Sequence, residues 1–273
     1  MKKMVIKLLF AVVLIGAVCV GYYVGRYGDD SPKNNNNNNN NNTTEKEKLT
    51  ITAENKEVFE KISKVVFGGK KENLKVEDIT ESRKASIARA LTNYHYTEKT
   101  GTEMTEGFRK YFGKNQTVTY DDIPCGMNHG NAEENILLIF DKEKDMYVYN
   151  DKHPGHGGGG NTYYGFEMKF DSVDSTDKEY IYNAKIFFYG PAYGSDTGEQ
   201  WYGSGYKTYN DAINEKNALL KIDDNNDYLI NDGPPRLNVD KVFNDFQDQL
   251  DTYSFYFEKE DENVIFKKYQ KKK

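Results

Sequence analysis

An uncharged stretch from Leu8 to Val24, LLFAVVLIGAVCVGYYV, constrains this chain more than any other feature. As a helix, residues 4–24 would extend about 30 Å, the hydrocarbon thickness of a bilayer. The sequence therefore predicts one membrane crossing over residues 4–24. Lys2, Lys3 and Lys7 precede the run, while Arg26 alone stands just beyond it. The positive-inside preference then predicts a cytoplasmic N-terminus and an extracytoplasmic remainder. Tyr22, Tyr23 and Tyr27 fall where an outer interfacial belt is expected. A cleaved secretory signal has a shorter apolar core and a small-residue site of the A-x-A kind; here the Ala17 and Cys19 pair lies inside the apolar run, which favours a retained anchor.

The segment 31–48 is polar and holds nine consecutive asparagines, Asn34–Asn42. Without apolar residues to offset the entropy of ordering, it reads as a disordered spacer. The expected organisation is a cytoplasmic stub and anchor over 1–30, the spacer over 31–48, and an extracytoplasmic domain over 49–273. The formal charge of the whole chain is −6; residues 1–30 contribute +2 and residues 267–273 contribute +5, so residues 31–266 carry −13. So acidic a body argues against nucleic acid as a partner, because phosphate neutralisation needs a basic face. The lysine-rich end, Lys267–Lys273, reads as a solvated terminus or as an electrostatic attachment to an anionic membrane or wall.

Within 49–273 the pattern predicts an α+β fold. Val58, Phe59, Ile62, Val65 and Val66 form one helical stripe, with Gly68 and Gly69 ending it. Ile87, Ala88, Leu91 and Tyr94 form a second, starting near Thr80. Met104, Phe108, Tyr111 and Phe112 form a third, closed by Gly113. These place a helical part over 49–120. From Asn135 the period moves toward two and predicts a mostly antiparallel, curved sheet over 135–273. Its expected strands are 136–140 and 146–149 as a hairpin, 163–173, 180–189, 202–209, and short runs at 219–222 and 228–230 around a polar turn. A late helix follows, with Val239, Val242, Phe243, Phe246 and Leu250 on its stripe and Asn238 as N-cap, and then a terminal hairpin of 254–257 with 264–269.

This layout is similar to helix-on-sheet domains of the cystatin or nuclear-transport-factor style. The order of anchor, spacer, helices, the HPGHGGGG loop at His153–Gly160 and the ending YSFYFEKEDENVIFKKY at Tyr253–Tyr269 also resembles membrane-anchored extracytoplasmic proteins of AT-rich Gram-positive bacteria. That resemblance spans most of residues 100–273; it implies an extracytoplasmic home and no particular activity.

One constellation suggests metal chemistry. Cys125, His129, His153 and His156 read as C-x3-H-x23-H-x2-H. Zinc takes N and S ligands, commonly as short-spaced pairs joined by a longer loop, and the hairpin over 136–149 would bring the two pairs together. The alternative is a glycine-rich surface loop with a buried thiol. Gly157–Gly160 lacks the context of a phosphate loop. Asp223, Asn225 and Asp227 fail as a calcium loop because Tyr228 and Pro234 stand where glycine and glutamate are needed. Asp196, Thr197 and Gly198 lack the apolar strand an aspartic-protease triplet requires. Aromatic density around Tyr163, Tyr164, Trp201 and Tyr202 offers a platform for a sugar or peptide, or ordinary half-buried strands.

No complete catalytic signature is present, with neither GxSxG nor HExxH. The expected function is a single-pass, non-enzymatic binding or assembly module outside the membrane, with a cell-wall or protein partner. Two alternatives follow from the residues above: a zinc-binding domain, structural or hydrolytic, and a wall-glycan binder using the aromatic face. Apart from that zinc, no cofactor is expected.

Overall fold

Thr52 opens the first helix by a reciprocal cap. Its Oγ1 accepts from the Asn55 N–H at 3.1 Å, and Asn55 Oδ1 accepts from the Thr52 N–H at 3.2 Å. The computed structural model describes residues 48–68, 71–92, 97–125, 131–154, 161–194, 200–222, 227–230 and 236–273, with the backbone alone at 161–163, 193–194 and 200–202. The predicted membrane segment 4–24 and residues 31–47 of the predicted spacer lie outside these. Among the described residues no helix is long and apolar enough to cross a membrane.

Helix α1 spans Ala53–Val66 and buries Phe59, Ile62, Ser63 and Val66, so the expected stripe faces inward while Val58 and Val65 flank it half-buried. Helix α2, Glu81–Thr92, buries Ala85, Ile87, Ala88 and Leu91; Tyr94 of the predicted stripe lies outside the described residues. Helix α3, Gly101–Phe112, starts in a Thr100 and Glu103 capping box and ends at Gly113, whose φ of 104° suits glycine.

All pairings in the main sheet are antiparallel. Its strands are β1 (Asn73–Lys75), β5 (Asn161–Ser175), β6 (Glu179–Gly194), β7 (Gln200–Tyr206), β8 (Leu220–Lys221), β11 (Asp251–Glu260) and β12 (Asn263–Lys271). The order is β1-β12-β11-β6-β7-β8, with β5 also paired to β6. Since β5 runs along one edge of β6, the other edge is shared in succession by β11, over 179–186, and β7, over 188–194. Register shifts in β5 at Tyr163/Gly165 and Phe170/Ser172, and in β11 at Tyr256/Phe257, are the bulges that bend such a long sheet. A small sheet pairs β2 (Ile123–Pro124), β3 (Ile136–Asp141) and β4 (Met146–Tyr149), and β9 (Leu229–Ile230) pairs with β10 (Arg236–Leu237). The α+β reading and the mostly antiparallel sheet are thus realised.

Three details differ from expectation. Strand β7 stops at Tyr206, because Thr208 Oγ1 accepts from the Asp211 N–H at 3.1 Å and turns the chain into α4, Tyr209–Ile213. The runs around the polar turn give strands of only two residues each, β8 paired with β7 and β9 with β10. The helical part also contributes β1, which joins the far edge of the main sheet.

Alternation along β6 divides the interior in two. Tyr180, Tyr182, Ala184, Ile186 and Phe188 face a large core shared with α1–α3, where the Phe59 ring packs, tilted, 4.7 Å from Phe257 and 5.2 Å from Tyr180. Phe187 faces the reverse side and a smaller core of Leu220, Ile222, Leu229, Leu237, Val242, Phe243 and Leu250. That second core is built on α5, Val239–Phe246, which Asn238 caps by accepting from the Lys241 N–H at 3.2 Å. Burying each of these large side chains contributes roughly 1.5–3 kcal/mol before entropy is counted.

Candidate functional site

The reverse face of the main sheet holds a groove of about 1060 Å³. Parity places its residues. On β6 and β11 the core takes Tyr180, Tyr182, Tyr253, Phe255 and Phe257, so the intervening Ile181, Asn183, Ser254 and Tyr256 turn to the other side. Register then aligns them across five strands. One row runs Ser172, Asn183, Ser254, Gln270, Asn73, each residue opposite the next. The next row runs Asp174, Ile181, Tyr256, Lys268, Lys75.

The first row is a hydrogen-bonded polar floor. Ser254 Oγ donates to Asn183 Oδ1 at 2.6 Å, and Asn183 Nδ2 donates to Ser172 Oγ at 3.0 Å. Asn183 and Ser254 are only 2% and 5% exposed, so these bonds offset the cost of burying polar atoms. Gln270 Nε2 donates to the Tyr256 hydroxyl at 2.9 Å, and Lys268 Nζ lies 4.3 Å from the centre of the Tyr256 ring, a cation–π distance.

Charge is uneven along the groove. Lys75 and Lys268 are register partners, a like-charged pair that costs stability, and neither has a carboxylate partner among the described residues. Lys271 differs: its ammonium is 2.8 Å from Asp251 and 3.4 Å from Glu72, and the hydrogen bond to Asp251 is the main reason its pKa is raised. Lys272 and Lys273 line the same end, while Asp174 stands at the opposite edge.

The histidine constellation is described in part. The Cys125 N–H donates to the Asn135 carbonyl at 2.7 Å, the Asn150 N–H to Leu137 O at 3.1 Å, and the His153 N–H to Asn150 O at 3.1 Å. Asn150 Nδ2 also donates to the carbonyls of Glu133 and Ile136, both at 2.8 Å, tying the hairpin base together. Cys125 follows β2 and His153 follows β4, on opposite sides of β3 and at the same end of the small sheet. The Cys125 thiol is buried. His129 and His156 lie outside the described residues, as do Gly157–Gly160 and Asp196–Gly198; among the described residues no group of three metal-binding side chains occurs.

Of the aromatic candidates, Tyr164 is 37% exposed, and its hydroxyl donates to Glu215 Oε1 at 3.4 Å. Tyr163 and Tyr202 are both register partners of Ala192, and Trp201 is opposite Tyr193. The side chains of Tyr163, Trp201 and Tyr202 lie outside those described.

Sequence reasoning missed the groove. Its local signal was present: a short polar residue stands between two core-facing residues at Tyr182, Asn183, Ala184 and at Tyr253, Ser254, Phe255. The rows form only when strands far apart in sequence are set in register. Comparison with protein-family models, curated proteins and solved structures finds no match.

Proposed function

We propose that this chain is a single-pass, membrane-anchored binding module that engages its ligand outside the membrane through the groove on the reverse face of the main sheet, without catalysis. The observation that carries this reading is the groove itself: a concave surface crossing five strands, with a hydrogen-bonded polar row and two lysines that form no ion pair among the described residues. Amides, hydroxyls and ammonium groups hold and orient a ligand. The anchor is supported by the uncharged Leu8–Val24 run and its lysine-rich N-terminal flank.

Protease treatment of intact cells expressing the full chain tests the topology. The expected result is membrane-bound protein whose residues beyond 48 are digested from outside; a soluble cytoplasmic product overturns the reading. Turnover of wall fragments or peptides by the purified full chain would overturn its non-enzymatic part.

A second reading, zinc binding by Cys125, His129, His153 and His156, is favoured by the closure of the hairpin base around Asn150. Replacing His153 and His156 together with alanine should then lower the zinc content measured by elemental mass spectrometry. Unchanged content excludes it.

A further inference from the structure

We infer that the groove takes a linear, hydroxyl-rich polymer carrying phosphodiester charges, with Lys75 and Lys268 as the pair that reads the charge. This rests on the binding reading above and names its ligand class. Shape comes first. A groove crossing strands β5, β6, β11, β12 and β1 suits an extended chain, whereas a flat membrane surface cannot enter it.

Charge comes second. Residues 31–266 carry −13, yet the β1 and β12 side of the groove is basic. Lys75 and Lys268 are register partners without an ion pair among the described residues, and with Lys271, Lys272 and Lys273 they outnumber the carboxylates of Glu72 and Asp78 at this end. Ammonium groups act on phosphate as point charges and do not need the planar fork of a carboxylate pair. Lys272 and Lys273 extend the positive end.

The floor supplies the third argument. Ser172, Asn183 and Ser254 are already bonded to one another, and a hydroxyl or amide can both donate and accept. Such a row matches the hydroxyl groups of a ligand, while Ile181 and Tyr256 in the next row offer apolar surface to its carbon backbone. Single-stranded nucleic acid would need an open aromatic platform, but the Tyr256 ring is covered by Lys268 at 4.3 Å. A peptide adding as a strand would need a sheet edge, and this is a face.

The test uses the full-length chain in non-ionic detergent and fluorescently labelled poly(glycerol phosphate), read by anisotropy at about 50 mM NaCl. Binding is expected, weakening at about 300 mM NaCl as screening grows. Lys75→Glu with Lys268→Glu should weaken it at least about ten-fold, a loss of about 1.4 kcal/mol. Lys142→Glu, an exposed site on the β3–β4 turn, should leave it unchanged. Thermal melts of each variant confirm folding, and the neutral pair Lys75→Gln with Lys268→Gln should lose less than the charge reversal. Binding of neutral dextran or polygalacturonate in place of the phosphate polymer, abolished by the same pair, overturns the phosphodiester assignment and leaves the groove as a binding site. Tighter binding of oligodeoxythymidine overturns it in favour of nucleic acid. Failure to bind any of these polymers, or binding indifferent to the lysine pair, overturns the inference, while the anchor and topology stand or fall on protease accessibility alone.

Discussion

The ring of Tyr189 lies over Gly165, its register partner on the neighbouring strand. A Cβ built on Gly165 would collide with the ring and hydroxyl of Tyr189. The same device recurs where Phe187 covers Gly205: a bare stretch of pleat is filled by an aromatic from the next strand. Gly165→Ala should therefore displace Tyr189 and cost about 1–3 kcal/mol, the usual range for overpacking. Urea denaturation measures it. Adding Tyr189→Ala should cost less in the Gly165→Ala background than alone, since the collision is already gone.

Asp145 fastens helix α3 to the β3–β4 turn. Its Oδ2 accepts from the Thr102 N–H at 2.9 Å and from Thr102 Oγ1 at 2.7 Å, while its carbonyl accepts from the Gly101 N–H at 2.7 Å. A carboxylate on the first turn also opposes the helix dipole. Asp145 has a φ of 52°, which asparagine tolerates and alanine resists. Asp145→Ala should lower stability by about 1–2 kcal/mol and Asp145→Asn by much less. Equal losses in the two variants, measured by thermal melting, would remove the cap from this account.

Phe67 closes α1 and sits within a ring of aromatics. It meets Tyr253 at 4.9 Å, Phe166 at 5.0 Å and Tyr269 at 5.4 Å. Since these partners come from three strands and cannot collapse together, Phe67→Ala should cost about 3–5 kcal/mol. Phe67→Leu should recover more than half of that, with chemical denaturation giving both values.

Glu167 provides a pH dependence. It lies half-buried on β5 opposite Phe187, and desolvation raises its carboxyl pKa above the ordinary value, with Lys64 opposing weakly. For a group whose native pKa is raised, the contribution is full below the unfolded pKa and is lost as pH rises through the native one. Melting temperature should therefore fall over that window. Glu167→Gln should flatten the decline and melt higher than the parent at neutral pH; a profile unchanged by the substitution would place the dependence elsewhere.

Elements held by local chemistry were legible in the sequence. The α1 stripe, the Gly113 stop, the Asn238 cap and the terminal hairpin each depend on residues within a few positions of one another. By contrast, β1 is three residues, Asn73–Lys75, whose only claim to be a strand is its partner β12. Likewise Leu220–Lys221 and Leu229–Ile230 take their partners from β7 and β10, which no local pattern names. Of the candidate metal site, the β3–β4 hairpin between Cys125 and His153 was readable from two apolar runs flanking a charged turn. The groove was not, because Asn73, Ser172, Asn183, Ser254 and Gln270 share a row through non-local register alone.

The pairing of β1 with β12 also sets an order of assembly. Tyr269 donates its hydroxyl to the Lys71 carbonyl across 198 positions of chain, and Phe112 of α3 packs 5.6 Å from Phe266 of the final strand. A chain synthesised from its N-terminus must carry the apolar faces of its first three helices uncovered until almost every later residue has emerged. Closing so long a loop is slow, and the exposed helices are vulnerable to aggregation in the meantime. The topology therefore imposes a waiting period during which the newborn protein depends on whatever shields it.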